Sequence, residues 1–481
     1  MKKTCLAFLL VGLAFCAGCG SSSNNPNPPS GNFSNANLSG SYVYQLNGVD
    51  LTNGALFSEA GTFVADGKGN ITSGNDDFVE PTGLFSSPIS GSYGINSDGT
   101  GAIQLNFQNG GSLVLAVTIV NSTKVYLIEA DSFGNGAGAA ELQTTSVITT
   151  PPTGTYAFRL HSVGTASGSS AMVGTMTFSG GAITGNEDMN LAGLTASYSL
   201  TGVENSPDSN GRGTISIQDN NGTVTSLIYY VVNSTNVRFL RSDLGVTGGG
   251  RAEAQSGSFN NASLTGSYAF GSQGDTLTAV DGSKTAGVFT SNGAGTITAG
   301  DYDVAQVSGN ALNVPLTGSY SAAGNGRVTL TLTPTNGGSV QEILWMVNNS
   351  RAFYLINDPN RVEDGTMDLQ TASSFTNATI SGPFAFFNHG FDPTDFVDRV
   401  GTITPDGAGN LSMTEFLNRT GSVTTTPIIL SGTYSVGSNG RVAASIPNLS
   451  SNMIIYMISG TDGYMLQNDT STGINGRMTH Q

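Results

Sequence analysis

The chain has 481 residues, with 33 Asp and Glu against 17 Lys and Arg, a net charge of −16 and 66 glycines. Charged residues make up only 10%, too few to solvate many helix faces, so the composition favours strands and tight turns. The acidity argues against nucleic acid or an anionic membrane surface as a partner. Recurrent alternating segments of Val, Ile, Leu, Tyr and Phe argue against a disordered chain.

Residues 1–18 read as a targeting signal. Lys2 and Lys3 precede an apolar run from Leu6 to Phe15 that is short for a membrane span. Ala17-Gly18-Cys19 resembles the lipobox of bacterial lipoproteins, departing from it at Cys16, where that family usually carries Leu. The resemblance implies cleavage before Cys19, lipidation of Cys19, and residence in the bacterial cell envelope, at the outer membrane or cell surface. The membrane would then be a partner through acyl chains. An ordinary secretory signal cut elsewhere is the alternative. The cysteines are Cys5, Cys16 and Cys19, so a chain cleaved there keeps no thiol for a disulfide, a metal or a nucleophile. Residues 19–36, rich in Ser, Asn, Pro and Gly, read as a flexible tether.

Four repeats follow, expected at 37–145, 153–255, 263–372 and 379–481. Their opening phrases are Gly40-Ser41-Tyr42, Gly154-Thr155-Tyr156, Gly266-Ser267-Tyr268 and Gly382-Pro383-Phe384, spaced by 114, 112 and 116 residues. Each repeat carries one hairpin signature: Asp66-Gly67-Lys68-Gly69 in the first, Ser179-Gly180-Gly181 in the second, Asn292-Gly293-Ala294-Gly295 in the third and Asp406-Gly407-Ala408-Gly409 in the fourth. The exchange of Asp for Ser and Asn marks a turn geometry, not an ion site.

The first repeat predicts strands at Ser41–Leu46, Leu56–Ala65, Asn70–Phe78, Ile89–Asn96, Gly101–Phe107, Leu113–Val120, Lys124–Ala130 and Ala139–Thr144. Tyr42, Tyr44 and Leu46 share a face, as do Ile103, Leu105 and Phe107. Eight antiparallel strands with short turns predict an all-β unit. An up-and-down barrel is preferred, with a β-sandwich second and an eight-bladed propeller third. The strand order is architecturally similar to that of lipocalin-type barrels. A mid-repeat phrase ends in Tyr93, Tyr320 and Tyr434, with Tyr198 read as its counterpart in the second repeat.

Chemistry is sparse. His161 and His389 end the first strands of repeats two and four, where Asn47 and Gln273 stand in the others; His480 lies at the C-terminus. Each reads as a satisfied or solvated side chain. Acidic residues follow the hairpin in every repeat (Asp76-Asp77, Glu187-Asp188, Asp301 with Asp303, Glu415). They read first as solvated turn residues, second as a calcium site and third as catalytic carboxylates. Trp345, aligned with Val117, Tyr229 and Ile455, reads as packing. Arg238, Arg241, Arg351 and Arg361 read as scattered.

The sequence thus predicts a lipid-anchored, exported, non-catalytic binding or surface-interaction protein. No catalytic residue, metal ligand or cofactor is expected, and ligand-binding residues are unassigned. The partner would be a protein, a glycan or a small apolar ligand. A carrier of an apolar ligand in hollow barrels and a polysaccharide hydrolase are the alternatives.

Overall fold

A computed structural model describes residues 32–481 apart from 277–281, 307–308, 393, 448–450, 468 and 470–471. The signal, Cys19 and most of the tether lie outside the described residues. Each repeat is a closed antiparallel barrel of eight strands in meander order. In barrel 1 the strands are Ser39–Asp50, Ala55–Asp66, Asn70–Glu80, Gly83–Ile95, Thr100–Phe107, Ser112–Asn121, Lys124–Glu129 and Gly134–Leu142. Strand one pairs with both strand two and strand eight, which leaves no open edge. Barrel 2 runs from Gly154–Gly164 to Val246–Ala254, barrel 3 from Thr265–Thr276 to Arg361–Leu369, and barrel 4 from Phe384–Phe391 to Gly473–His480. Barrel 4 closes in the same way and adds the two-residue strand Ser422–Val423. The sandwich and propeller readings are set aside.

The repeated hairpin is a turn device. Asp66 Oδ1 accepts from the amides of Lys68 and Asn70 at 2.7 and 3.0 Å, and Asn292 Oδ1 accepts from those of Ala294 and Thr296 at 2.8 and 3.1 Å. Gly67 and Gly69 hold φ of 75° and 111°, which explains their retention. Tyr93, Tyr320 and Tyr434 each donate to backbone carbonyls of the short 3-10 turn that leads into their barrel. In barrel 2 the register puts Glu204, not Tyr198, at that place, because Ile183 pairs with Gly202 as Ile71 pairs with Gly91. His480 belongs to the last strand, edge-on to the Phe384 ring at 5.0 Å.

The interiors are filled. Tyr42, Tyr44, Phe63, Leu105 and Leu127 pack barrel 1; Phe158, Phe178, Tyr229 and Phe239 pack barrel 2. Barrel 3 holds Phe270, Phe289 and Tyr354, and barrel 4 holds Phe384, Phe386 and five methionines. The void beside Phe270 in barrel 3 measures about 10 Å³, no larger than one water requires. The hollow barrel that an apolar carrier needs is therefore not what these cores build.

A second set of apolar clusters joins the barrels. Outward residues of strands one to three on one barrel meet outward residues of strands six and seven on the next. Val43, Ala60 and Val79 meet Ile228, Tyr230 and Leu240; Ala157, Ala171 and Val173 meet Ile343, Trp345 and Phe353. Ala269, Ala286 and Val288 meet Ile454, Tyr456 and Leu466. The same surfaces then join barrel 4 back to barrel 1, where Ala385 and Val400 meet Ala116, Tyr126 and Ile128. A head-to-tail contact that closes after four copies makes a ring.

A glutamine after the last strand clips each barrel to the next. Gln143 Nε2 donates to Val231 O at 2.8 Å, Gln255 to Met346 O at 2.6 Å, and Gln370 to Met457 O at 2.7 Å. Gln481, the final residue, donates to Ile119 O of barrel 1 at 2.7 Å and completes the cycle. On the opposite side, the loop before strand eight meets the turn after strand three of the preceding barrel. Gly245 N donates to Pro81 O at 2.9 Å there, and Asn190 Nδ2 donates to Asp358 O at 3.1 Å. Like ends touch like ends, so the barrels stand side by side around one axis.

The interiors also bury acids. Burial first, then Asp219, raises the Glu187 carboxyl to about 7; burial raises Glu342 to about 8 and Glu415 to about 7. Between the ordinary glutamate value and these raised values the folded chain holds more protons than the unfolded one, so stability falls as pH rises through that window. Glu141 and Asp368 are held down at about 2 and contribute fully throughout it. Denaturant midpoints are therefore expected to fall from pH 5 to pH 8.5, and Glu342→Gln is expected to flatten the fall. A midpoint that rises over that range contradicts the assignment.

Candidate functional site: the axial cavity

The outward faces of strands one, seven and eight from all four barrels line a cavity of about 950 Å³ on the ring axis. The lining residues and their cross-strand partners fall into tiers that the strand register defines. The first carries Lys124 opposite Glu141, Asn236 opposite Glu253, and Arg351 opposite Asp368. The second carries Gln45 and Tyr126 from barrel 1, Arg159, Arg238 and Arg251 from barrel 2, and Phe387, Tyr464 and Arg477 from barrel 4. The third is Asn47, His161, Gln273 and His389, one from each barrel. Exposed Thr235 and Ser256, on the side of the turns before strand seven, mark an opening.

Charge in the tiers is tightly paired. Arg159 Nη1 meets Asp364 at 2.5 Å, and His161 bridges Asp364 at 2.7 Å and Asp275 at 3.1 Å. Burial opposes the imidazolium, yet the two carboxylates raise His161 to about 10. Arg238 pairs with Glu141 of barrel 1. Arg351 Nε meets Glu253 at 2.7 Å and its Nη1 meets Asp368 at 2.6 Å, so barrels 2 and 3 share one chain of charges. Tyr464 of barrel 4 donates to Asp368 at 2.6 Å, and its ring lies under Arg477 at 4.6 Å. His389 meets Asp398 at 2.6 Å.

The first-strand register of Asn47, His161, Gln273 and His389 is legible in the sequence, but their convergence is not. Arg238 and Arg351, read as scattered, meet here; Arg241 and Arg361 instead pair beside their own strands, with Asp243 and Glu363. The acidic residues after the hairpin are not solvated. Asp77, Asp188 and Asp303 are fully buried at successive junctions and receive Arg212, Arg327 and Arg441 of the next barrel at 2.5, 2.6 and 2.7 Å. Tyr230, Trp345 and Tyr456 donate to the same carboxylates at 2.5, 2.8 and 2.6 Å.

Trp345 therefore faces the neighbouring barrel, and its true counterparts are Thr118, Tyr230 and Tyr456. The residues aligned with it by sequence (Val117, Tyr229, Ile455) face barrel interiors, since a slip of one position reverses the face. Asp76 instead accepts from Tyr44 inside barrel 1, and Asp301 accepts from Asn439. The acids proposed for hydrolysis are thus distributed over separate junctions and interiors. Among the described residues, no group of three or more His, Cys, Asp and Glu could hold a metal ion.

No family model and no curated protein matches this sequence. Among solved structures, a tryptophan-to-alanine mutant of the vaccine antigen Transferrin Binding Protein B from Haemophilus parasuis Hp5 is similar at 10% identity. The match covers 75% of this chain and 84% of that one, with a TM-score of 0.21. Isotype 1 Transferrin binding protein B from serogroup B Neisseria meningitidis is similar at 9% identity over 74% and 83% of the two chains, with a TM-score of 0.16. Scores this low transfer neither ligand nor partner.

Proposed function

We propose that this chain is a lipid-anchored, non-catalytic binding protein of the bacterial envelope, in which four filled barrels are the walls of one axial ligand site. The observation that carries this reading is the placement of space: about 950 Å³ on the axis against about 10 Å³ beside the core of barrel 3. A cavity of that size suits a single small molecule or a short polymer segment. The repeats act as one assembled site, not as four independent ones. Gln273 lines the cavity, so Gln273→Trp plugs it without touching a barrel core. In a thermal-shift screen of small molecules against the whole chain, ligands are expected to raise the melting temperature of the parent and not of the plugged variant. Ligands that act equally on both would place binding elsewhere.

The anchor has a separate test. Cys19→Ala is expected to abolish incorporation of labelled fatty acid and to move the protein from the membrane to the soluble fraction. Unchanged labelling would refute the lipobox reading.

A further inference from the structure

The axial cavity differs in charge from the molecule that encloses it. The chain carries −16 overall, with 17 basic residues. Six of these (Lys124, Arg159, Arg238, Arg251, Arg351, Arg477) line the one cavity, against three acidic lining residues, Glu141, Glu253 and Asp275. The remaining carboxylates of the network, Asp364, Asp368 and Asp462, pair with the arginines and His161 but do not line the cavity. They stand behind the cations and fix them. An arginine held from behind by a carboxylate presents its other N–H groups forward in a fixed fork, the arrangement that suits an oxyanion.

Barrel 2 supplies three of the six cations in one tier, each paired with one carboxylate: Arg159 with Asp364, Arg238 with Glu141 and Arg251 with Glu253. Arg159, Arg238 and Arg251 are mutual neighbours across strands one, eight and seven. The Nε groups of Arg159 and Arg251 are buried and have no hydrogen-bond partner among the described residues. Burial first, then Arg238 and Arg351, pushes the Arg251 guanidinium down to about 9 against the opposing pull of Glu253 and Glu141. Three of the four junctions repeat their acid–arginine pair, whereas the three-arginine set of this tier occurs once. Its counterparts are Gln45, Tyr126 and Ala139 in barrel 1, Gly271, Phe353 and Thr366 in barrel 3, and Phe387, Tyr464 and Arg477 in barrel 4, where only Arg477 is cationic. The cationic cluster is thus one-sided, facing the aromatic rings of Tyr126, Phe387 and Tyr464, which also line the cavity.

Resting on the axial-site reading, we propose that the cavity binds an anionic small molecule, with its carboxylate or phosphate oxygens on the Arg159–Arg238–Arg251 cluster and its less polar part against Tyr126, Phe387 and Tyr464. An anion there pairs charge with charge on the three guanidinium groups, which a neutral ligand does not. The low-dielectric walls of four barrels strengthen the interaction relative to one at the open surface.

Isothermal titration of the whole chain with three probes tests this: citrate, phenyl phosphate and, as a neutral isostere of the aromatic part, benzyl alcohol. Phenyl phosphate is expected to bind most tightly, with affinity falling as salt rises. Arg251→Gln is expected to weaken it at least tenfold, and Arg238→Gln to do the same. Arg419→Gln, which removes a half-exposed cation of barrel 4 outside the cavity, is expected to change nothing. Phosphatidylglycerol vesicles form a separate arm: binding that is lost in Arg251→Gln would put the oxyanion on a lipid headgroup and support the same cluster. Circular dichroism confirms that each variant is folded. Binding of the anions that survives Arg251→Gln and Arg238→Gln would overturn the proposal. Neutral ligands excluded by Gln273→Trp, with no binding of either anion, would overturn it too while leaving the axial site standing. No binding by any probe, together with an empty thermal-shift screen, would sink both.

Discussion

Replacing Asp303 with alanine is expected to destabilise the junction between barrels 3 and 4 by about 3–5 kcal/mol, the usual cost of stranding a buried charge. Asp303 is fully buried and receives both Nε and Nη2 of Arg441 at 2.7 Å and the Tyr456 hydroxyl at 2.6 Å. Without it, a guanidinium and a hydroxyl remain at an apolar interface of Ala269, Ala286, Val288 and Ile454. The chain contains its own control. At the closing junction the acid position is Phe416, the arginine position is Thr100 and the tyrosine position is Thr118. All three polar partners change together. The triple variant Asp303→Phe, Arg441→Thr, Tyr456→Thr is therefore expected to lose less stability than Asp303→Ala alone, through coupling among the three sites. Guanidinium unfolding of the single and triple variants measures this. Losses that simply add would show that the three residues do not act as a unit.

The second large effect is expected from Val400→Asp at the closing junction. Val400 is fully buried with Ala385 against Ala116, Tyr126 and Ile128, and the counterpart of the junction arginine there is Thr100. A carboxylate placed there has no cation of the kind that holds Asp77, Asp188 and Asp303, so the barrel 4–barrel 1 contact is expected to open. The other three junctions and all four cores keep their residues. Small-angle scattering is expected to show a radius of gyration of about 23 Å for the parent, typical of a compact chain of this length, and a larger value for Val400→Asp. A variant as compact as the parent, with unchanged exchange protection at residues 116–128, would contradict the role given to this contact.

Much of the barrel is readable from local pattern. Alternation, Asn-Gly and Asp-Gly turns and the 112–116-residue spacing specify eight strands in meander order, because hairpin pairing is a contact between sequence neighbours. The ring is a different kind of contact. Asp77 and Arg212 are 135 residues apart, and Asp188 and Arg327 are 139 apart. Nothing in either strand alone distinguishes an outward residue that meets water from one that meets another barrel. Trp345 shows how narrow the margin is, since a register shifted by one position turns a junction residue into a core residue. One signal does lie in the sequence: Asp at the outward position after the hairpin (Asp77, Asp188, Asp303) coincides with Arg after the Asn-Gly turn of the next repeat at three junctions, and at the fourth these positions are Phe416 and Thr100, although Glu415 stands one residue away. The axial site carries no such signal, because its six cations are spread over four repeats and four register positions, none of which is cationic in every repeat.

Ring closure is the claim on which the site depends, and a photo-crosslink across the closing junction tests it most directly. The Tyr126 and Phe387 rings lie 4.8 Å apart between centroids, on barrels 1 and 4. With p-benzoylphenylalanine in place of Phe387, irradiation of dilute protein is expected to yield an intramolecular product joining the Phe387 position to the Lys124–Glu129 strand. Crosslinks confined to barrel 4, or formed only between molecules, would contradict the ring.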